Sequence, residues 1–361
     1  MKILFGIPSK VHKEIALAEV LAFKELGAIV ETSDYGNSGE EKGLFKSFLI
    51  VLRNAINLKK KLIKHKSEII YLNTAFDNKT LVRDSITIFI LRIFNKTTKI
   101  VLKVHGSVAV VVSANNIFKR YLFNKISLFL LLSTEERSNF INAGMDSSRI
   151  FITANVVDKS SFQPDPSFEK KFSITRGTII LLFVGRFIEE KGILDLIKAC
   201  ELLKEKSIQF KLFCLGDGPL FSQAKTLINK SNLTDNVKLL GHIPERDTKL
   251  FYSNCHILVL PTFHDEGFPM AIFQAVASGM SIITTKIRGS ADYLEEYNNC
   301  LWVKKNSPED IYDKVLILKN NDFLREKIKL NNRRLADKFN AQSIVADLHT
   351  NFQKLFKFIN F

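Results

Sequence analysis

Two runs in the second half of the chain combine glycine, cation and carboxylate in a way that suits an anionic ligand. The first is Gly185-Arg186-Phe187-Ile188-Glu189-Glu190-Lys191-Gly192, directly after a strand-like segment ending at Val184. A strand, a glycine turn and a helix start leave backbone N–H groups and a helix N-terminus facing an anion. Arg186 and Lys191 add two positive charges beside that opening, enough to hold a diphosphate through charge-assisted hydrogen bonds of about 1.5–3 kcal/mol each. The plainer reading is a surface basic pair at a strand-to-helix turn. The second run, Pro261-Thr262-Phe263-His264-Asp265-Glu266-Gly267-Phe268-Pro269, follows a strand over Ile257–Leu260. It therefore falls at the carboxyl edge of a sheet, where open α/β folds bind ligands. Pro269 suits the first helical position, so the helix that begins there points its positive end back toward Glu266. Read alone, Glu266 is as well explained by a cap or an ion pair.

Two further runs are weaker. Gly216-Asp217-Gly218-Pro219 is a tight turn after the strand Phe210–Leu215, most simply structural. His105-Gly106 follows the strand Lys99–Val104, again at a carboxyl edge. A lone histidine is usually a satisfied polar residue, and His12, His65, His242, His256, His264 and His349 are read that way. The cysteines, Cys200, Cys214, Cys255 and Cys300, form no C-x-x-C pair, which argues against a zinc site or disulfide scaffold and for a reducing compartment.

Short β-branched runs alternate with helical stretches, which predicts parallel sheets of βαβ units. The first series has strands at Lys2–Ile7, Ala28–Ser33, Ile69–Asn73, Lys99–Val104, Leu128–Ser133 and Ile150–Thr153. A helix from about His12 to Leu26 stops at Gly27, and another starts at Thr134-Glu135-Glu136-Arg137 and ends near Gly144. The pattern breaks at Phe162-Gln163-Pro164-Asp165-Pro166, an interdomain linker. A second series follows with strands at Thr178–Val184, Phe210–Leu215, Val237–Leu240, Ile257–Leu260 and Ser281–Thr284. An amphipathic helix spans Ala341–Ile359. The 361 residues thus divide into a first domain, 1–163 with helix 341–361, and a second, 164–340.

With 46% apolar and 25% charged residues the chain has the composition of a folded globular protein. The N-terminal apolar run is too short for a secretory signal, and no apolar stretch approaches the ~20 residues of a spanning helix. The net charge is +15, and between Lys42 and Lys125 stand 17 Lys and Arg against 3 acids, Glu68, Asp77 and Asp84. Cations alternate there with bulky apolar residues, as in Lys46-Ser47-Phe48-Leu49 and Ile117-Phe118-Lys119-Arg120. That interleaving favours an anionic membrane surface over nucleic acid, beside the plain alternative of solvated amphipathic helices. The 30 phenylalanines serve either a core or such a surface.

Taken together in order and spacing, Gly185–Gly192, Gly216–Pro219, Glu266-Gly267-Phe268-Pro269, Gly279 and Gly289-Ser290, with His105-Gly106 and Asn155–Asp158, resemble the family 4 glycosyltransferases, retaining enzymes of the GT-B fold. The resemblance implies two facing Rossmann-like domains with parallel sheets and a last helix that crosses back to the first domain. It implies that Arg186 and Lys191 grip the donor diphosphate beside Gly185. The backbone of Gly267, Phe268 and Met270 would meet the distal phosphate, Glu266 would hold sugar hydroxyls, and His105 would touch the sugar from the first domain. Gly241-His242-Ile243 resembles the loop that holds the base. Three positions depart from the pattern. The family's second glutamate, a ribose ligand, is Gln274 here; the glycine pair after the first strand is replaced by Gly6-Ile7-Pro8-Ser9-Lys10; and Asn155-Val156-Val157-Asp158 lacks its glycine.

The expected activity is a metal-independent, retaining transfer of a hexosyl-type sugar from a nucleotide-diphosphate sugar, with no cofactor. No Asp-x-Asp is placed to carry a divalent ion with the diphosphate. The basic first domain suggests a lipid-linked or surface-polysaccharide acceptor, as in capsule or lipopolysaccharide assembly, and a cytoplasmic enzyme peripheral to the inner face of the membrane. The alternatives are a nucleotide-sugar-binding scaffold without transfer, or an epimerase or phosphorylase of similar shape. A nicotinamide dehydrogenase is disfavoured, since no G-x-G-x-x-G follows Lys2–Ile7.

Overall fold

The computed structural model describes residues 1–8, 13–35, 43–93, 95, 97–106, 115–157, 159 and 162–357. Ser9, Lys10, His12, Lys42, Asp158 and residues 358–361 of the last helical segment lie outside them. The chain forms two compact units, Met1–Val156 with Glu266–Phe268 and Phe339–Phe361, and Val157–Asp265 with Pro269–Lys338. The division falls ahead of the proline-rich segment at 162–166. Lys103 Nζ donates to the carbonyl of Ala154 at 2.9 Å and keeps that residue in the first unit. Lys159 pairs with Asp337, and Asp165 N donates to Asn254 Oδ1 at 2.9 Å, which hold the following residues in the second.

In the first unit the order is β1 (Lys2–Ile7), α1 (Lys13–Glu25), β2 (Ile29–Asp34), α2 (Leu44–His65), β3 (Ile69–Thr74) and α3 (Asn78–Arg92). There follow β4 (Lys99–Val104), α4 (Ile117–Lys125), β5 (Leu128–Leu131), α5 (Thr134–Asn142) and β6 (Ile150–Ile152). The strands pair in the order β2-β1-β3-β4-β5-β6, all parallel. Parallel strands need covered faces, and their nearly unbroken apolar runs supply both. One face packs Leu4, Leu72, Leu102 and Phe129 against Leu58 and Leu62 of α2, Leu81 and Ile88 of α3, Leu122 of α4 and Phe140 of α5. On the other, Phe5 stacks on Tyr71 at 4.2 Å, and Phe23 of α1 faces Phe352 of the last helix, Ala341–Lys357, at 6.0 Å. Gln342 Nε2 donates to Glu25 Oε2 at 3.1 Å, so that helix braces α1.

Local chemistry sets the helix ends. Asp77 and Thr80 form a reciprocal capping box at α3, and Ser133, one residue before the predicted start, caps α5 by accepting from Glu136 N at 3.2 Å. Gly27 ends the turn after α1 at φ 79°, where a side chain would be strained.

The second unit opens with the short α6 (Phe168–Lys171) and continues through β7 (Ile179–Val184), α7 (Ile193–Glu205), β8 (Phe210–Leu215), α8 (Phe221–Lys230) and β9 (Val237–Gly241). After these come α9 (Glu245–Asn254), β10 (Ile257–Leu260), α10 (Met270–Ser278), β11 (Ser281–Thr284) and α11 (Arg288–Tyr293). The unit ends with β12 (Leu301–Trp302), α12 (Pro308–Lys319) and α13 (Asp322–Leu335). Its sheet runs β12-β11-β10-β7-β8-β9, again all parallel. Only the two-residue β12 escapes the sequence pattern, being too short to show periodicity. Pro269 caps α10 with ψ 102° instead of being its first residue; its extended backbone delays the helix to Met270.

Phenylalanine serves the interior in both units. Phe76, Phe123, Phe129 and Phe140 cluster in the first, and Phe168, Phe172, Phe213 and Phe251 in the second. Among the described residues no helix is long and apolar enough to cross a membrane.

Candidate active site

The second unit builds a cradle from two loops at the carboxyl edge of its sheet. The loop after β7 and the loop after β10 are stitched together at one carbonyl. Glu190 O accepts from Phe263 N at 2.8 Å, His264 N at 3.2 Å and Thr262 Oγ1 at 3.0 Å. Gly192, at φ 71°, lets the first loop close on Pro261, whose carbonyl oxygen would stand 2.8 Å from any Cβ there. Lys191 is buried, with its stem 3.7 Å from the Cβ position of Gly185, while Arg186 is exposed on the same loop.

His264 acquires a role here that its sequence context did not reveal. Its Nε2 lies 3.1 Å from Arg186 Nη2. A guanidinium has only donors, so His264 accepts with its neutral ring, Nδ1 carrying the proton. Two helix N-termini border the cradle without side-chain caps: α7, behind Gly192, and α10, behind Pro269. Each offers unsatisfied backbone N–H groups to an anion. Asp265, on the second loop, pairs at 3.3 Å with Arg288, a buried cation at the start of α11. Arg288 has φ 37°, and nothing in its local sequence marks a cation held inside the unit.

The Gly216–Pro219 turn supports the cradle from below. A Cβ on Gly216, at φ 135°, would meet the carbonyl carbon of Gly185 at 2.9 Å, and one on Gly218 would meet Phe187 N at 2.9 Å. Phe187 N donates to Asp217 O at 2.9 Å, so the turn fixes the backbone beside Arg186. The next strand end is tied in the same way: Gly216 N donates to Gly241 O at 2.8 Å, with His242 exposed and Ile243 half-buried beyond it. Gln274 on α10 donates through Nε2 to Glu245 Oε1 at 2.9 Å, so a carboxylate from α9 stands beside the glutamine.

Gly185, Arg186, Lys191, Gly241, His242, Ile243, Met270 and Gln274 thus share one sheet edge. Glu266, Gly267 and Phe268 do not belong to that unit. The ring of Phe268 meets Phe339 at 5.4 Å, and Gly267 lies on the Glu136 carboxylate of α5, with no room for a Cβ (2.8 Å to Cδ). These three residues therefore group with the unit that carries His105.

At the carboxyl edge of the first sheet, His105 N donates to Thr74 O at 2.8 Å. Gly106 sits so close to Ala75 that a Cβ would be 2.8 Å from its carbonyl carbon, which explains the His-Gly pair. Asn73, buried at the end of β3, turns its Nδ2 toward Gly6 O (3.4 Å) and its Oδ1 toward His105 Nε2 (2.8 Å). The imidazole must then carry its proton on Nε2, which leaves Nδ1 as acceptor. Arg83 Nη2 donates to Asn73 O at 3.3 Å, its Nε to Asp84 Oδ1 at 2.7 Å, and its guanidinium covers the Tyr35 ring at 4.4 Å. Tyr35 Oη donates to the same Asp84 oxygen. Burial opposes the charge on Arg83, but the Asp84 carboxylate outweighs it and holds the guanidinium above its ordinary value. Burial likewise drives the Tyr35 phenol well up, so it remains a donor. Asn73, Arg83, Asp84 and Tyr35 escaped the sequence reading, since no motif joins positions so far apart.

Two all-parallel six-stranded sheets, each wound in Rossmann fashion, define an α/β fold of the GT-B type. Residues 165–335 match the family described as glycosyl transferases group 1. The match takes in the cradle of the second unit, and the chain is a glycosyltransferase. It is 28% identical over 261 residues to an uncharacterized glycosyltransferase of Methanocaldococcus jannaschii, covering 71% of this chain and 68% of that one. It is also 28% identical over 258 residues to the capsular polysaccharide biosynthesis glycosyltransferase CapM of Staphylococcus aureus, covering 66% of each. Anabaena HepE, solved with UDP and glucose, has the same fold at a TM-score of 0.75 and 17% identity, covering 98% of this chain and 99% of that one.

Proposed function

We propose that the chain moves a sugar from a nucleoside-diphosphate donor to an acceptor with retention at the anomeric carbon and without a metal ion. The carrying observation is the cradle in the second unit, where the loop of Arg186 and the buried Lys191 is joined to the loop of His264 through the Glu190 carbonyl and the Arg186–His264 contact. Those positive groups would hold the diphosphate and stabilise its charge as it leaves, an electrostatic contribution that needs no metal. The C1–O bond to the diphosphate breaks, the acceptor oxygen bonds C1 on the same face, and the acceptor proton passes to a diphosphate oxygen. Glu266 and His105 hold sugar hydroxyls, with His105 accepting at Nδ1; the Gly241–Ile243 loop receives the base. UDP in the HepE complex makes uracil the first base to test.

For the acceptor we propose a lipid-linked intermediate of a surface polysaccharide, with the first unit lying on an anionic membrane surface. CapM, a capsule biosynthesis relative, supports the first part. The second is supported by the exposed Phe45, Phe48, Leu49 and Phe89 set among the cations of α2 and α3. A binding scaffold or an epimerase is less well supported, since a scaffold has no need of a buried lysine at the leaving group.

Arg186→Ala and Lys191→Ala are each expected to lower kcat/KM about 10- to 100-fold, the loss of one charge-assisted contact. Near-normal turnover in both, measured as nucleoside diphosphate released with UDP-sugars, would remove the assigned role. Turnover abolished by EDTA and restored by a divalent ion would overturn metal independence.

A further inference from the structure

Outside the donor cradle, the first unit carries a hollow of about 550 Å³ beneath the carboxyl end of β2, lined by Ser33, Asp34, Arg53, Asn54, Asn57, Lys60 and Lys61. Three cations face a single carboxylate, so the hollow is net positive. Five of the lining residues share one face of α2, and Lys61 Nζ fixes the register by donating to Thr32 O at 2.6 Å. His65, one turn further along, lies 3.5 Å from Glu31. The helix therefore runs antiparallel to β2. Its 22 residues span about 33 Å against about 20 Å for the strand, so its N-terminal turns overshoot the carboxyl edge of the sheet.

A second stripe on α2 lies beside the cationic one. Phe45, Phe48, Leu49, Ile56 and Ile63 recur at helical spacing and are all exposed, Phe45 at 74%. Lys46, Arg53 and Lys60 recur every seventh residue along its border. One helix thus offers a cationic hollow and, adjoining it, an apolar track that begins beyond the sheet edge. The order of strands sets the distance to the chemistry: β2 stands three strands from β4, the strand that ends at His105, or ~14 Å at the usual spacing. A short glycan spans that gap along one sheet edge.

The geometry points to the hollow as a phosphate subsite for the acceptor: it binds the phosphate that joins a glycan to a lipid, with the lipid chain lying along Phe45, Phe48, Leu49 and Ile56. This deepens the acceptor class proposed above and rests on that reading. The phosphate belongs to the acceptor and not to a bulk phospholipid, because the hollow lies on the edge that carries His105, where a bilayer headgroup has no place in the transfer.

Monomeric dodecyl phosphate, below its micellar concentration, is the probe, with binding to the full chain followed by calorimetry. Wild-type protein is expected to bind it at least about tenfold more tightly than inorganic phosphate or the neutral dodecyl maltoside. Arg53→Ala/Lys60→Ala should weaken that binding about tenfold or more, Arg53→Lys should retain most of it, and Phe45→Ser/Phe48→Ser should erase the preference over inorganic phosphate. UDP binding should stay unchanged in every variant, since none touches the donor cradle. Equal affinity for dodecyl phosphate in wild type and Arg53→Ala/Lys60→Ala would overturn the assignment. So would binding of glycerophosphoglycerol, the water-soluble headgroup of phosphatidylglycerol, that matches or exceeds binding of the monomer, which would make the hollow a bilayer-headgroup contact. Failure of the wild type to bind UDP or GDP would instead count against the transferase reading itself.

Discussion

The two sheets present their carboxyl edges in different materials. In the second unit the edge is made of backbone: glycines at 185, 192, 216, 218 and 241, carbonyls that accept several donors at once, and two uncapped helix ends. In the first it is made of side chains, with His105, Asn73, Arg83, Asp84 and Tyr35 joined in one connected network. A diphosphate is the same group in every donor, and backbone N–H groups held by glycine turns recognise it without regard to what else is attached. A sugar hydroxyl has direction, and meeting it requires a ring held in one tautomer. On the function proposed above the contrast is one of task, and each half can be broken separately.

The largest expected effects come from the buried parts of each edge. Lys103 Nζ lies 2.6 Å from Glu19 Oε1, with both side chains fully buried. Removing one partner with Lys103→Ala should cost about 3–5 kcal/mol, because it strands a charge in the interior, whereas Lys103→Met/Glu19→Leu should recover most of that. Urea unfolding measures both. In the second unit the counterpart is Gly216→Ala, which forces a Cβ onto Gly185 at φ 135° and should cost about 1–3 kcal/mol or more. It should weaken UDP binding as well, whereas Lys103→Met/Glu19→Leu should leave it alone. If both variants altered nucleotide affinity equally, the division of labour between backbone and side-chain edges would fail.

Next in size is Asn73→Leu. It removes the acceptor that fixes the His105 proton on Nε2 while filling similar space. Turnover should fall about 10- to 100-fold through kcat, with little change in donor KM. Asn73→Asp, which still accepts from Nε2–H, should retain more activity than the leucine. Equal losses in the two would mean that Asn73 only packs.

How much of this could be read from the sequence follows the same contrast. Glycine-bearing turns after strands leave a local signature, so Gly185–Gly192, Gly216–Pro219 and the Pro269 helix start each stood out within a span of a few residues. The strands were legible because parallel strands are apolar throughout: Lys2–Ile7, Lys99–Val104, Phe210–Leu215, Ile257–Leu260 and Ser281–Thr284 match residue for residue. The Asn73–Arg83–Asp84–Tyr35 network was not legible, because β3, α3 and the end of β2 meet only after the sheet is ordered. Arg288 was hidden for the same reason: its burial depends on Asp265, from another loop. Glu266, assigned to the second domain by position, groups with the first because Phe268 finds Phe339.

A smaller effect is expected from pH, and it belongs to the second unit. His256 accepts from Ile180 N at 3.0 Å through Nδ1, so the fold needs the neutral ring. Burial, with Arg325 adding repulsion, holds it below the ordinary histidine value. The unfolded chain then binds the extra proton first, so this contribution is complete above about pH 6.5 and declines as pH falls below it toward the lower folded value. Melting temperatures at pH 8.0 and 5.5 should differ less in His256→Asn, which keeps an acceptor but cannot titrate. An unchanged difference would place the pH dependence elsewhere.

The smallest expected change is the one that separates family pattern from local structure. Gln274 stands where the resembled family has a glutamate, which makes Gln274→Glu look like a restoration. In this chain the glutamine donates to Glu245 Oε1 at 2.9 Å, so a carboxylate already occupies that corner and the amide steadies it. Placing a second carboxylate there sets two like charges side by side at an exposed site, where such repulsion is worth about 0.3–0.5 kcal/mol. UDP affinity should therefore drop by about twofold rather than rise. Glu245→Ala should lower affinity in wild type, and Gln274→Glu/Glu245→Ala should recover it, since one carboxylate then remains. A clear gain in affinity from Gln274→Glu alone would show that Glu245 does not stand in for the missing acid, and that the nucleotide end of the cradle still follows the family pattern at position 274.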